Sequence, residues 1–363
     1  MQEILLGIVN LEKALKGSSK VLLVCDSSYP FLNIRENIEA IKLPVVKFDE
    51  FTPNPLYESV CKGVKLFNDE KCDAILAVGG GSSIDVAKCI KLYCKMTGGD
   101  IFLNQHYEDT GVKLIALPTT AGTGSESTQY AVIYYDGKKQ SVSHASIIPD
   151  YAILEPKTLT TLPLYQKKCT MMDALCQGIE SWWSVNSTDE SKQYSKITIE
   201  IIMKHWREYI FENTAVAAEQ IMLAANYAGR AISITQTTAP HAFSYKLTSL
   251  YGLPHGHAVA LCLPEIWTYM IRHLARCVDS RGRVYLDKTF TDIAMAMGSE
   301  KVHLSIASFR QMMHDMDLKN PMSPDKRVDI EILSNSVNPV RLKNNPILLD
   351  FEAITSIYNI IVR

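Results

Sequence analysis

Apolar positions change their spacing near residue 160. Before it, short unbroken apolar runs alternate with stretches whose apolar positions recur every three or four residues. "KVLLVCD" (20–26), "DAILAVGG" (73–80) and "KLIALPTT" (113–120) read as buried strands. "NPLYESVCKGVKLFNDE" (54–70) and "SIDVAKCIKLYCK" (83–95) carry helical spacing. Strand, helix, strand, helix predicts a parallel sheet covered on both faces. "YAVIYYDGKKQSVSH" (130–144) alternates about a DG pair, which predicts a hairpin insertion. From 161 to 363 the pattern is helical almost throughout, with loops expected at Pro254, Pro264 and "NNP" (344–346). Two domains follow: an α/β domain over 1–160, with a Rossmann-like parallel sheet, and an all-α domain over 161–363. No internal repeat or low-complexity linker separates them, so an extended shared interface is expected, with a cleft there as the natural ligand site.

Composition narrows the partners. The chain has 363 residues, 47% hydrophobic and 21% charged, with a net charge of −2. It offers no basic stripe for nucleic acid or an anionic membrane, and no apolar run long enough to span a bilayer. The N-terminal stretch carries acidic residues and no small-residue cleavage site, so no signal peptide is read and a cytoplasmic protein is expected. Nine cysteines lie scattered in apolar segments without a CxxC, as reduced core thiols do.

Two small-residue loops follow predicted strands. In "AVGGGSSIDVAK" (77–88) a strand runs into Gly79, Gly80 and Gly81, and a helix is expected from Ser82. Ser82 as cap and Asp85 three residues on form a capping-box-like pattern. The free N–H groups of such a helix start suit a pyrophosphate; a ligand-free turn has the same shape. In "LPTTAGTGSEST" (117–128), Thr119, Thr120, Thr123 and Ser127 offer hydroxyls. Two such loops at strand ends favour a dinucleotide site. Asp26, ending the first strong strand, can bind a ribose 2′-hydroxyl and repel a 2′-phosphate, or can cap a turn.

The second half carries metal-type ligands. "TMMDALCQGIE" (170–180) puts Asp173 and Gln177 on one helical face. "PHAFSYKLTSLYGLPHGH" supplies His241, His255 and His257; Gly252 and Pro254 should end a helix, so that His255 enters from a turn. Asp173, His241 and His255 can offer a carboxylate and two imidazoles to Fe²⁺ or Zn²⁺ with open positions; lone histidines equally occur as satisfied core or surface residues.

Together "GGGSSIDVAK", "LPTTAGTGSEST", "MDALCQGIE", "HAFSYKLTSLYGLPHG" and the late "NNP" resemble the iron-containing (group III) alcohol dehydrogenases over nearly the whole chain. The resemblance implies a dehydroquinate synthase-like fold and NAD(P)-linked interconversion of alcohol and aldehyde. It also implies a homo-oligomer, expected as a dimer. It makes Asp173, Gln177, His241 and His255 the metal shell and Gly79, Gly80, Gly81, Ser82 and Thr119 dinucleotide contacts. Asp26 takes the position associated with NAD(H) over NADP(H). Tyr245 and His255 fall at the reacting end, with Tyr245 or a water chain supplying the proton. Two residues depart from the family pattern. Gln177 stands where relatives carry His in "DAxxHAxE", and its neutral amide oxygen shifts preference toward Fe²⁺, Mn²⁺ or even Mg²⁺; Fe²⁺ is the expected ion, with Zn²⁺ or Mn²⁺ as alternatives. Tyr245 replaces the second His of "HxxxH". "GKKQSVSH" and "LPLYQKKCTMMDALCQGIESWWS" further resemble the subgroup that reduces phosphonoacetaldehyde to 2-hydroxyethylphosphonate, with Lys246 and Lys167 or Lys168 as phosphonate contacts. The rival expectations are a general short-chain alcohol, diol or lactaldehyde dehydrogenase, a lyase like dehydroquinate synthase, and a non-catalytic nucleotide-binding relative. Trp182 and Trp183 read as packing residues.

Overall fold

Strands form where apolar runs can be buried on both faces. The computed structural model describes residues 2–97 and 101–363. Among the described residues eight strands run in chain order: β1 (Glu3–Leu6), β2 (Val21–Cys25), β3 (Val45–Phe48), β4 (Ala74–Gly79), β5 (Lys113–Pro118), β6 (Tyr130–Tyr135), β7 (Lys138–Ser143) and β8 (Tyr151–Leu154). Six make one sheet in the order β1-β8-β5-β4-β2-β3, every pairing parallel. Leu22 and Val24 of β2 join one core cluster with Ile75, Ala77, Leu114 and Ala116. Their neighbours Val21, Leu23 and Cys25 join the other with Leu76, Val78 and Ile115. This is the period of two expected of a parallel sheet covered on both sides. Antiparallel β6 and β7 turn through Asp136 and Gly137, both at positive φ, the conformation a two-residue DG turn requires.

The helices of the first half are α1 (Leu11–Leu15), α2 (Arg35–Glu39), α3 (Tyr57–Asp69), α4 (Gly81–Tyr93) and α5 (Lys157–Thr160). Those of the second are α6 (Leu164–Trp183), α7 (Asp189–Arg207), α8 (Ala215–Thr235), α9 (Ala239–Tyr251), α10 (His255–Arg272), α11 (Arg283–Ala296), α12 (Val302–Asp315), α13 (Lys326–Ser336) and α14 (Phe351–Ile361). The chain divides into two compact units, Met1–Leu162 with Asn213–Gly229, and Pro163–Glu212 with Arg230–Arg363. The single cut expected after residue 160 thus misses a segment that returns to the first unit. Asn226 donates to Ser127 Oγ at 2.6 Å and to Glu126 Oε1 at 3.1 Å. A Cβ on Gly124 would lie 2.4 Å from Gly229 Cα, so the two backbones touch.

Pro264, expected in a loop, lies inside α10. The residues from Gly256 to Pro264 are all buried, and that packing outweighs the hydrogen bond the proline cannot donate. In the second unit Trp183 packs edge-on to Trp267 and Phe290, and its Nε1 donates to Thr238 Oγ1 at 2.8 Å. All nine cysteines are free thiols, seven of them buried.

Candidate metal centre and nucleotide cradle

Three helices of the second unit bring the metal-type ligands together. Asp173 comes from the middle of α6, where every residue from Met171 to Trp183 is buried. His241 lies in the first turn of α9. Gly252, left-handed at φ 66°, ends that helix, and Pro254 caps α10, whose first residue is His255. His255 is therefore helical rather than part of a turn. Gly256 explains the closeness: a Cβ there would fall 1.9 Å from the Cys169 carbonyl oxygen and 2.9 Å from Asp173 Cβ. Only glycine lets α10 lie so near α6.

His241 Nε2 is 3.3 Å from Asp173 Oδ1, and His255 Nε2 is 4.0 Å from the same oxygen. One ligand atom from each of the three residues lies within 4.8 Å of the others. Asp173 Oδ1 is buried and accepts no well-formed hydrogen bond. A buried carboxylate oxygen that accepts no well-formed hydrogen bond, beside two imidazole nitrogens, fits a divalent cation. Burial opposes ionisation of Asp173, yet His241 and His255 hold its carboxyl below the ordinary range.

Behind His241 stands Glu180, which sequence reasoning missed although it closes the quoted "DALCQGIE" and lies seven residues from Asp173 on the same helical stripe. Glu180 Oε1 accepts from His241 Nδ1 at 2.5 Å, and Oε2 accepts from Thr238 N at 2.7 Å and Thr238 Oγ1 at 2.9 Å. The arrangement sets Nδ1 as the protonated nitrogen and leaves Nε2 for a metal. Burial opposes charge on His241, but Glu180 and Asp173 outweigh it and raise the imidazole to about 9.

Gln177 is buried one turn beyond Asp173, and its amide helps to hold that carboxylate ionised. The Tyr245 ring lies nearly parallel to His255, 11° between planes and 6.1 Å between centroids. His257 turns away and its Nδ1 meets Tyr165 Oη at 2.9 Å. The expected phosphonate lysines do not join the cluster. Lys246 is five residues from His241 and Lys168 five from Asp173, each about 140° around its helix. Lys319 first, and Lys168 after it, hold the Asp317 carboxyl below the usual range. Lys167 is buried with its ammonium over the Tyr209 ring.

In the first unit the carboxyl ends of three neighbouring strands gather the nucleotide-type residues: Asp26 after β2, Gly79 at the end of β4 with Gly80 and Gly81 after it, and Thr119 after β5. Ligands of open parallel sheets bind at such ends. Thr119 N donates to Gly79 O at 3.0 Å. Gly79 stands at φ 151°, and a Cβ there would strike Ser83 Oγ at 2.2 Å and Asp26 Oδ2 at 2.8 Å. At Gly80 a Cβ would meet only Thr120, at 3.5 Å, so the turn is open on that side. The helix begins at Gly81 with Gly80 as N-cap and no side-chain cap. Ser82 is therefore not the cap, and the first-turn N–H groups carry no capping side chain, which fits a pyrophosphate.

Other residues expected at the cofactor turn elsewhere. Asp85 accepts from Ser125 Oγ at 2.6 Å and Val132 N at 2.9 Å; it fastens the hairpin instead of completing a capping box. Ser127 is buried against Asn226 and Gln2. Asp26 Oδ1 accepts from Ser28 N and Oγ, and Oδ2 from Ser83 Oγ at 2.9 Å, so it both caps a turn and borders the glycine loop.

Residues 7–156 match the family described as iron-containing alcohol dehydrogenase, and residues 168–362 its Fe-containing C-terminal domain. The chain belongs to the iron-containing alcohol dehydrogenase family, a family of metal-dependent oxidoreductases. Among its relatives, the phosphonoacetaldehyde reductase of Streptomyces viridochromogenes is 29% identical over 78% of this chain and 75% of that protein. The probable alcohol dehydrogenase EutG of Escherichia coli is 33% identical over 68% of this chain, the match spanning 61% of EutG. A crystal structure of 1,3-propanediol oxidoreductase superposes with a TM-score of 0.87 at 24% identity, covering 98% of this chain and 97% of that one. Sulfoacetaldehyde reductase from Bifidobacterium kashiwanohense, solved in complex with NAD+, gives 0.87 at 24% identity over 99% and 96%. These superpositions establish the fold. No described helix is long and apolar enough to cross a membrane.

Proposed function

We propose that this chain is a metal-dependent, NAD(P)H-linked aldehyde reductase, with phosphonoacetaldehyde as substrate and 2-hydroxyethylphosphonate as product. The observation that carries the chemistry is the buried Asp173 oxygen, which accepts no well-formed hydrogen bond and lies 3.3 and 4.0 Å from two histidine nitrogens. Asp173, His241 and His255 would hold the ion, with the Gln177 amide as a fourth, weaker donor; Fe²⁺ is the first choice, Zn²⁺ or Mn²⁺ the alternatives. Gly79, Gly80, Gly81, Ser82 and Thr119, with Thr120 and Thr123 alongside, would hold the dinucleotide, and Asp26 its ribose. The chemistry supplied by the bound groups is Lewis-acid polarisation of the carbonyl oxygen and delivery of hydride.

The chain's own part is positioning and proton supply. Glu180 fixes the His241 ring so that only Nε2 is presented. Tyr245, stacked beside His255, is the phenol that holds the proton the product oxygen needs. The uncapped start of α4 binds the negative diphosphate through backbone N–H groups. Asp26 favours a free ribose diol over a 2′-phosphate, hence NADH over NADPH.

Likeness to a reductase named for phosphonoacetaldehyde supports the substrate. A general short-chain alcohol dehydrogenase is the second reading, favoured by Lys168 and Lys246 lying off the metal-facing side of their helices. A panel of phosphonoacetaldehyde, acetaldehyde, propanal and lactaldehyde with NADH and Fe²⁺ separates the two. The first reading expects kcat/KM for phosphonoacetaldehyde to exceed the neutral aldehydes at least about tenfold, a difference of about 1.4 kcal/mol. Equal or lower kcat/KM for the phosphonate replaces it with the second.

A further inference from the structure

A phosphonate substrate needs a cation that the expected lysines do not supply. Asp173 and Glu180 are both buried, and a divalent ion balances only these two carboxylates. An anionic substrate beside them therefore requires positive charge of its own. Lys167 holds its ammonium over the Tyr209 ring, and Lys168 and Lys246 lie off the metal-facing side of their helices. Two further cations, Arg341 and Lys343, stand in one 3₁₀ turn, Arg341–Asn344, which packs against α9, the helix of His241 and Tyr245.

The last residue of the turn ties it to two metal-bearing helices. Asn344 Nδ2 donates to Gln236 Oε1 at 3.1 Å and to Thr237 O at 3.2 Å, just before α9. Asn344 O accepts from Val185 N at 3.1 Å and Asn344 Oδ1 from Asn186 Nδ2 at 3.0 Å, just after α6. The next residue after Thr237 is Thr238, which donates to the Glu180 carboxylate behind His241. A 3₁₀ turn has three residues per turn, so Arg341 and Asn344 share one face. Arg341 is thus presented on the side held to the start of α9, and it is half-buried while Lys343 is exposed. Among the described residues the Arg341 guanidinium has no carboxylate and no hydrogen-bond partner. A half-buried guanidinium with its fork of donors open matches a tetrahedral oxyanion, which can accept two parallel N–H bonds.

We infer that Arg341 is the specificity-determining residue for the phosphonate: its guanidinium pairs with the phosphonate oxygens of the substrate whose aldehyde end is reduced at the proposed metal centre. The inference rests on the proposed reduction of phosphonoacetaldehyde and names the cation that this substrate requires. It demands that Arg341 act on phosphonates far more than on neutral aldehydes, and through binding more than through turnover.

The experiment compares the parent with Arg341→Ala and Arg341→Lys, each loaded with Fe²⁺, with far-UV circular dichroism and metal content as controls. One readout is calorimetric binding of 2-hydroxyethylphosphonate; the other is the ratio of kcat/KM for phosphonoacetaldehyde to that for acetaldehyde. Arg341→Ala is expected to bind 2-hydroxyethylphosphonate about tenfold or more weakly and to lower the ratio by a similar factor, carried by KM, from loss of charge-assisted bonds. Arg341→Lys keeps the charge without the fork and should fall between the two. A ratio in Arg341→Ala equal to that of a phosphonate-preferring parent overturns the inference and leaves the proposed substrate standing. So does a fall carried by kcat with KM and phosphonate binding unchanged. If Arg341→Ala does not fold, Arg341→Met, which keeps the apolar stem, decides by the same ratio. A parent with no preference for phosphonoacetaldehyde fails at the proposed substrate itself, and the inference falls with it.

Discussion

Gln177 lies one turn from Asp173 on a buried face. Imidazole is a stronger donor than an amide oxygen to first-row metals. Gln177→His should therefore raise metal retained after dialysis, while turnover stays level or falls, because a better-satisfied ion polarises a carbonyl less. Retention equal to the parent removes Gln177 from the shell. Glu180 predicts the reverse. Glu180→Gln keeps the shape but loses the charge behind His241, and metal affinity measured by competition with a chelator should fall about 10- to 100-fold. At Gly80 there is room for a side chain beside Thr120, so Gly80→Val should melt near the parent while NADH binding collapses; undiminished binding puts the phosphate site elsewhere. Gly80 and Asp173 were legible in the sequence because glycine runs and polar residues in apolar helices are rare enough to carry meaning. Glu180 was not, since its value depends on Thr238 and His241, about sixty residues away. Asp85 was misassigned to a cap because its spacing suits one equally well, and only its bonds from Ser125 and Val132 decide.

Elements carry the next scale, where α6 and α10 meet at Gly256. A methyl group there meets the Cys169 carbonyl, backbone that cannot rotate aside. Gly256→Ala should cost about 3 kcal/mol or more in unfolding free energy and strip the metal, since His255 moves with its helix. Unchanged stability by denaturant titration would show that the helices relax freely. The strands β2, β4 and β5 were readable as apolar runs between turn signals. β1, β3 and β8 are only four residues each, too short for periodicity to register. Pro264 misled because propensity is a local rule, and the surrounding apolar packing of α10 overrides it.

For the whole molecule the buried charges link stability to pH. His241 is raised from about 6.5 unfolded to about 9 folded. The stabilisation this gives the metal-free protein is thus fully present below about pH 6.5 and lost as pH rises through about 9, of the order of 3 kcal/mol in all. The Tm of chelator-treated protein should fall from pH 6.5 to 9, and His241→Ala should flatten that fall. A parent Tm independent of pH over this window contradicts the charged His241. Metal competes with the same proton, so loading should improve as pH rises. The two-unit plan was legible from the change in apolar spacing near residue 160. The return of Asn213–Gly229 to the first unit was not, because it rests on Asn226 reaching Glu126 and Ser127, a hundred residues back.

The most direct measurement follows metal content and turnover together in the parent and His241→Ala, each loaded with Fe²⁺, dialysed, and assayed by NADH oxidation with the aldehyde panel. About one ion per parent chain is expected, with aldehyde-dependent oxidation that a chelator abolishes and Fe²⁺ restores. In His241→Ala both ion and turnover should be lost with the fold intact by circular dichroism. Full metal content and activity in His241→Ala would contradict the proposed centre.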